Sequence, residues 1–399
     1  MKKRMTKILS IAVIGAMALS MAACGSSSSS SDTADDTSAA GETTESTESE
    51  ADTTTADSDL TIGIVVKTAT NAHFQDIAYG AVLAGQELGV EVRVDNTTTE
   101  SDVDGQVTKC ENMISAGVDA LILTANDSDG VSGAVEAAHD AGIPFVTVDT
   151  EITNVWGDDI DDYMPNYIGV DHEEMAYQLA KTVIDAAGGE GNIIILRGVD
   201  AASSSIERTA GFERAIAEYD NVTILDSQSA SYDQDTATTT MSDLIQAHSD
   251  IDIVLCCNDL MAVGAVTALE ENGITVGEDG VLVAGIDGNL LALQSIDEGK
   301  LYASAYDWSI LQGYYAVYQA YDLINGTDSS EWEYQPNYDD DVYSLYTFTP
   351  DTIVTSENID EYLPHGEELA EWTMGTEVES VSDYMWEFID KGNDLFDAL

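Results

Sequence analysis

The sequence predicts an α/β protein of two similar lobes, each a parallel sheet flanked by helices. Three observations carry that prediction. Short β-branched runs alternate with segments whose apolar residues recur at helical spacing, and strands joined through helices pair in parallel. The alternation runs twice, around one polar interval at 149–166. The chain has 399 residues, 44% of them hydrophobic, too long for one small domain and too apolar for a disordered chain.

The first sixty residues stand outside this pattern. Lys2, Lys3, Arg4 and Lys7 precede an apolar or small-residue run from Ile8 to Ala23. This run is shorter than the ~20 residues a membrane-spanning helix needs, and the arrangement reads as a secretory signal peptide at 1–23. Residues 25–59 contain ten acids and no Lys, Arg or aromatic residue. Such a stretch buries too little apolar surface to offset its ordering entropy, so 24–59 reads as a cysteine followed by a solvated acidic tether.

The elements follow in order. Leu60–Val66 is a short β-branched run, read as a buried strand. Phe74, Ile77, Ala78, Ala81, Val82 and Leu88 then recur at helical spacing until Gly89. Strands at 90–94, 118–123 and 143–148 alternate with helices at 103–116 and 130–141. After the polar interval the pattern restarts with a strand at 167–170. Helices are expected at 173–187, 205–219, 234–248, 260–272, 289–298 and 310–325. Strands are expected at 192–196, 222–225, 251–255, 281–286 and 301–306. Residues 327–348 read as an ordered insert bearing Tyr334, Tyr338, Tyr343 and Tyr346. Val381, Tyr384, Met385, Phe388, Ile389, Leu395 and Phe396 predict an amphipathic helix in the tail, packed on the body or on a partner.

Charge excludes some functions. With 75 acids against 13 Lys and Arg, the net charge is −62. Loss of 1–23 removes four basic residues and no acid, leaving −66. Phosphate binding needs a basic surface that this chain lacks, so nucleic acid is excluded as a partner. Cys24, Cys110, Cys256 and Cys257 match no paired zinc framework, and five scattered histidines match no metal spacing. Cys256 and Cys257 end a buried strand and read as small apolar packers. The acidic runs at 158–162 and 339–341 do not fit a calcium loop and read as solvated. No Gly-x-Ser-x-Gly, His-Glu-x-x-His or phosphate-binding glycine loop is present, which counts against an enzyme.

In open α/β sheets, ligands bind outside the carboxyl ends of the strands. The residues there are Asn71, Asp149, Arg197 with the 198–208 loop, Tyr232, Asn258, Asp287 and Asp307. Amides, carboxylates and Arg bind hydroxyls and rings stack on C–H faces, so this composition suits a polyhydroxyl ligand. Asn and Asp also favour helix N-caps and turns, so residue type alone leaves both roles open for Asn71, Asp149 and Asp287.

Several segments carry a family resemblance. They are Thr70–Phe74, Thr124–Asp129, Val146–Asp149, Glu207–Phe212, Cys257–Ala265 and Gly285–Gly288, in order along the repeat. Cys257-Asn258-Asp259-Leu-Met261-Ala-Val-Gly264-Ala265 is similar to an Asn-Asp-x-Met-Ala-x-Gly-Ala motif. On these segments the body resembles the type I periplasmic-type sugar-binding proteins of the ribose/galactose class, the solute-binding subunits of ABC importers. Met21-Ala22-Ala23-Cys24 likewise resembles a bacterial lipobox, with Met21 in place of the usual Leu.

The resemblance implies a three-crossing hinge, near 168–171, 305–308 and 343–350. It implies a first lobe at 60–169 and 307–345, a second at 170–306 and 346–372, and an extension at 373–399. A monosaccharide or polyol would be captured between closing lobes and delivered to an ABC permease, without catalysis, cofactor or metal. Asn71, Asp149, Arg208, Asn258 and Asp287 would hydrogen-bond it, Phe74 and Tyr232 would flank its ring, and Asp307 would stand at the hinge. His73 replaces a second stacking aromatic, Thr150 replaces an Arg of the ribose binders, and Trp156 and Trp308 are further lining candidates. The site would then hold three carboxylates and one arginine. Cys24 would carry lipid, leaving a monomeric body outside the cytoplasmic membrane, attached to it by that anchor. Alternatives are a receptor presenting its ligand to a sensor kinase or chemoreceptor, and a binder of nucleosides or furanose-like signals.

Overall fold

Buried β-branched runs and amphipathic helices build the body as the alternation predicts. The computed structural model describes residues 60–152, 166–327, 345–346 and 352–397. The signal segment, Cys24, the acidic tether, Trp156, Tyr334, Tyr338, Tyr343 and both acidic runs lie outside these residues.

The first half comprises β1 (Thr61–Thr68), α1 (Ala72–Leu88), β2 (Glu91–Thr97), α2 (Val103–Ser115), β3 (Ala120–Leu123), α3 (Ser132–Ala141), β4 (Phe145–Val148) and β5 (Asn166–Val170). The second comprises α4 (His172–Ala186), β6 (Glu190–Arg197), α5 (Ser203–Ile216), β7 (Asn221–Ser229), α6 (Gln234–Ala247), β8 (Ile253–Cys256), α7 (Asp259–Glu271), β9 (Leu282–Asp287), α8 (Leu290–Asp297) and β10 (Ala303–Tyr306). Then come α9 (Ser309–Asn325), β11 (Leu345–Tyr346), β12 (Ile353–Thr355), α10 (Leu363–Ala370) and α11 (Asp383–Asp397).

Two six-stranded sheets result, ordered β11-β5-β4-β3-β1-β2 and β12-β10-β9-β8-β6-β7. Neighbouring strands run parallel except β12, which runs antiparallel to β10. The chain passes between the sheets after β5, after β10 and between β11 and β12. In each sheet the order reverses beside the first strand, at β1/β3 and β6/β8, where doubly wound sheets open a crevice. Alternation along the strands covers both faces of the first sheet. Ile62, Ile64, Val66, Ile122 and Val146 join the core shared with α1, while Val65, Leu121, Leu123 and Phe145 join a separate cluster with Cys110 and Met113 of α2.

Two edge strands outrun their predicted ends furthest. β2 reaches Thr97 and β7 reaches Ser229, each pairing along its length with a central strand. Backbone pairing, rather than side-chain burial, extends these edge strands, so apolar patterning could not find their ends. The short α10 was likewise absent from the pattern. Gly211 and Gly264, both within the resemblance motifs, serve helix packing. A Cβ on Gly211 would strike the Glu173 carbonyl, and one on Gly264 the Gln234 carbonyl, so these positions let α5 lie against α4 and α7 against α6. The tail helix forms as predicted and packs on the body, burying Met385, Phe388 and Ile389. Cys110, Cys256 and Cys257 are buried free thiols. Among the described residues no helix is long and apolar enough to cross a membrane.

Candidate functional site

The carboxyl ends of both sheets converge on one narrow cavity of about 10 Å³, lined by Lys67, Asn71, His73, Phe74, Glu100, Asp149, Ser204, Arg208, Tyr232, Asn258 and Asp287. Seven of the eight ligand-binding candidates line it. The eighth, Asp307, lies behind the wall, with Oδ2 3.1 Å from His73 Nδ1. The backbone that delivers these groups is unusual. Asp149, Tyr232, Asp287 and Trp308 have φ of 65°, 60°, 127° and 55°, a region costly for residues with a Cβ and concentrated at functional sites. At Asp149 the turn is pinned by its carbonyl, which accepts from Tyr167 Oη at 2.8 Å and from His172 Nε2 at 2.7 Å.

The cavity is a network of charge. His73 lies among three carboxylates: Nε2 is 3.1 Å from Asp149 Oδ1, and Nδ1 is 3.1 Å from Asp307 and 3.9 Å from Asp287. Burial alone would lower its pKa, but Asp307, Asp287 and Asp149 hold it well above the usual value. Burial would raise the pKa of Asp149, but His73 and Lys67 hold it well below the ordinary range. Burial holds Asp287 well above, against the pull of His73 and Arg208. Arg208 Nη1 donates to Cys257 O at 2.7 Å and to Asp287 Oδ1 at 3.2 Å, and Nη2 lies 3.7 Å from Asp307 and 3.9 Å from Asp149.

Several expectations are refined or corrected. Asn71 and Asn258 are N-caps as well as wall residues. Asn71 Oδ1 accepts from His73 N, and its Nδ2 donates to Glu100 at 3.0 Å. Asn258 Oδ1 accepts from Met261 N, while its Nδ2 has no hydrogen-bond partner. Asp149 and Asp287 cap no helix. Thr150 Oγ1 donates to Asp149 Oδ2 at 2.7 Å and lies 3.3 Å from Ser204 Oγ, behind the lining. Trp308 is a correction: its ring lies off the cavity, buried against Tyr306 and stacked on Phe388 of α11 at 4.6 Å. The expected charge count is also corrected, since Lys67, His73 and Glu100 join the three carboxylates and the arginine.

Sequence reasoning missed Lys67, Glu100 and His172, and covered Ser204 only as part of the 198–208 loop. Lys67 is 2% exposed at the end of β1, with Nζ 5.4 Å from the Phe74 centroid and 5.6 Å from that of Tyr232. The two rings expected to flank a ligand therefore also flank an ammonium, favoured by their negative π-faces. A lysine closing a β-branched run in a chain this poor in cations was a readable signal. Glu100 gave none. Ser204 Oγ meets Tyr232 Oη at 3.1 Å, and its Ser203–Ser205 run opens α5.

His73, Asp149 and Asp307 present atoms within 4.8 Å of one another, a spacing compatible with a metal. Both imidazole nitrogens already face carboxylates, and Lys67 and Arg208 lie within 4 Å of oxygens of the same carboxylates. The carboxylates are thus neutralised by fixed cations, a donor set suited to hydrogen bonding rather than ion capture.

Comparison with known proteins agrees with this geometry. The family model for a periplasmic binding protein domain matches residues 62–328. The ribose import binding protein of Bacillus subtilis is 32% identical over 268 residues, 67% of this chain and 83% of that protein. A xylitol-binding protein of Mycolicibacterium smegmatis is 26% identical over 356 residues, 87% of each chain. Among solved structures, an ABC transporter periplasmic solute binding protein from Actinobacillus succinogenes with bound D-allose matches with TM-score 0.67 at 29% identity. That match covers 76% of this chain and 100% of the other.

Proposed function

The chain belongs to the periplasmic binding protein family, and from that premise we propose that it captures a monosaccharide or polyol between its two sheets and delivers it to an ABC permease. One observation carries the reading. The cavity wall offers a buried donor and a buried acceptor beyond its own pairings: Asn258 Nδ2 and Asp287 Oδ2 lack hydrogen-bond partners. Unmet buried polar groups cost about 1–3 kcal/mol each. A ligand whose hydroxyls both donate and accept satisfies such a mixture, while Phe74 and Tyr232 cover its C–H faces.

In this reading Asn71, Asp149, Arg208, Asn258 and Asp287 bind hydroxyls, with Asp307 and His73 setting the charge balance. The first lobe comprises 60–169 and 307–345, the second 170–306 and 346–372. They close by bending at the three crossings, and the ligand stabilises closure through contacts absent from the open form. The role is binding rather than catalysis. Cys24 carries the lipid that holds the monomeric body outside the cytoplasmic membrane, and Cys24→Ala is expected to shift the protein from membrane to soluble fractions.

Calorimetric titration of the purified protein with pentoses, hexoses, polyols and nucleosides tests the ligand class. One saturable sugar or polyol response is expected. A response to nucleosides alone would overturn the class, and silence across the panel would overturn the role.

A further inference from the structure

We propose that His172 is a positioning residue that fixes the Arg208 guanidinium for its ligand, acting through a neutral ring with its proton on Nε2. The site's geometry dictates the tautomer. Nε2 lies 2.7 Å from the Asp149 carbonyl, which can only accept, so Nε2 carries the proton. Nδ1 lies 3.2 Å from Arg208 Nε, which can only donate, so Nδ1 presents its lone pair. A protonated ring would set an N–H against the guanidinium. Burial, then Arg208, lower the pKa of His172 to about 4, in keeping with that assignment.

The consequence falls on the arginine. Nε is held by His172, and Nη1 by Cys257 O and Asp287. With three anchors on Nε and Nη1, the planar fork has one orientation, and Nη2 is left beside Asp149 and Asp307 at 3.9 and 3.7 Å. His172 opens α4, immediately after the first crossing between sheets, while Asp149 follows β4 of the other sheet. The imidazole therefore joins the Arg208 fork to the far side of the cavity, and ties Arg208's orientation to the approach of the two sheets.

The binding arm of the test rests on the polyol reading, and the spectroscopic arm does not. Long-range ¹H–¹⁵N spectra of the intact protein are expected to show His172 as the Nε2–H tautomer. The Arg208 Nε–H resonance should be resolved in the wild type and shifted or lost to exchange in His172→Ala. An Nδ1–H tautomer, or an Arg208 signal unchanged by His172→Ala, overturns the proposal. In titrations with D-ribose, xylitol and myo-inositol, His172→Ala should weaken whichever probe binds by at least tenfold. His172→Gln, whose amide offers one acceptor and one donor, should recover most of that loss. Wild-type affinity in His172→Ala overturns the proposal, as does His172→Gln binding no better than His172→Ala. If no probe binds the wild type, the polyol reading falls while the spectra still decide the role of His172. If His172→Ala does not fold, His172→Gln carries the test: an Arg208 Nε–H signal retained there supports the proposal, and its loss overturns it.

Discussion

Asp307 and Trp308 are consecutive residues with opposite surroundings. The Asp307 carboxyl is fully buried against His73 and Arg208, in a network of seven ionisable side chains. The Trp308 ring is buried against Phe388 and Tyr306, in an aromatic cluster completed by Tyr362 and His365. One crossing between the sheets thus serves a polar face beside the cavity and an apolar face against the C-terminal helix. The polar face is built of charged groups around a cavity, while the apolar face is packed with rings, Phe388 of the C-terminal helix among them. The difference teaches where stability and specificity reside. Desolvated charges are retained at a cost that a binding partner offsets, whereas stacked rings contribute to folding outright.

The largest expected effect tests the polar face. Arg208→Ala removes the cation shared by Asp149, Asp287 and Asp307. Stripping one partner from a buried charge set costs about 3–5 kcal/mol, so thermal unfolding should fall sharply. Binding should weaken by roughly a thousandfold through lost charge-assisted bonds. Calorimetry on the folded variant checks this, and unchanged affinity would remove Arg208 from the site.

Phe388→Ala tests the other face. It empties the space between His365, whose ring centroid lies 3.3 Å away, and Trp308. Phe-to-Ala changes in cores cost about 3–5 kcal/mol. Affinity should stay within roughly threefold, since no atom of Phe388 lines the cavity. A parallel loss of affinity would break the separation and show that the tail governs the hinge through Trp308.

Acid sharpens the same comparison. His365 is fully buried, and burial and then Lys391 depress its pKa to about 3. A base depressed in the folded state contributes stability above its unfolded pKa near ~6.5, and that stability is lost as pH falls toward the folded value. Between these values the unfolded chain binds the extra proton, so stability falls with pH, by on the order of 4 kcal/mol across the window. His365→Phe should flatten that part of the pH–stability curve. A curve unchanged between wild type and variant would place the acid sensitivity elsewhere.

Much of this was legible before any coordinates, for reasons that differ by residue. The alternation of strands and helices is written in apolar spacing, so the sheets were readable while the ends of β2 and β7, which rest on backbone pairing, were not. The residue-after-the-strand rule found Asn71, Asp149, Asn258 and Asp287. His172 follows β5 and was open to the same rule. Glu100 sits in an irregular turn, and only folding brings its carboxylate to Asn71 Nδ2. Trp308 shows the limit most plainly, because adjacency to Asp307 placed it near the site while packing against Tyr306 and the sequence-distant Phe388 holds its ring off the cavity.

The smallest expected effect on stability belongs to Lys67→Met. The Lys67 ammonium lies between Phe74 and Tyr232 and 3.8 Å from Asp149 Oδ2, with His73 and Arg208 also serving that carboxylate. Two cations therefore remain when it is removed, and the unbranched Met side chain keeps most of the apolar stem's contacts. Replacing a buried charge by an apolar group of similar volume is often neutral or stabilising, so unfolding should shift by less than about 1 kcal/mol. Affinity should fall by roughly tenfold, as one charged donor is lost. Paired calorimetry and thermal unfolding separate the two outcomes. A large stability loss with binding intact would make Lys67 part of the scaffold, and the polar face would then hold the fold as firmly as the aromatic one.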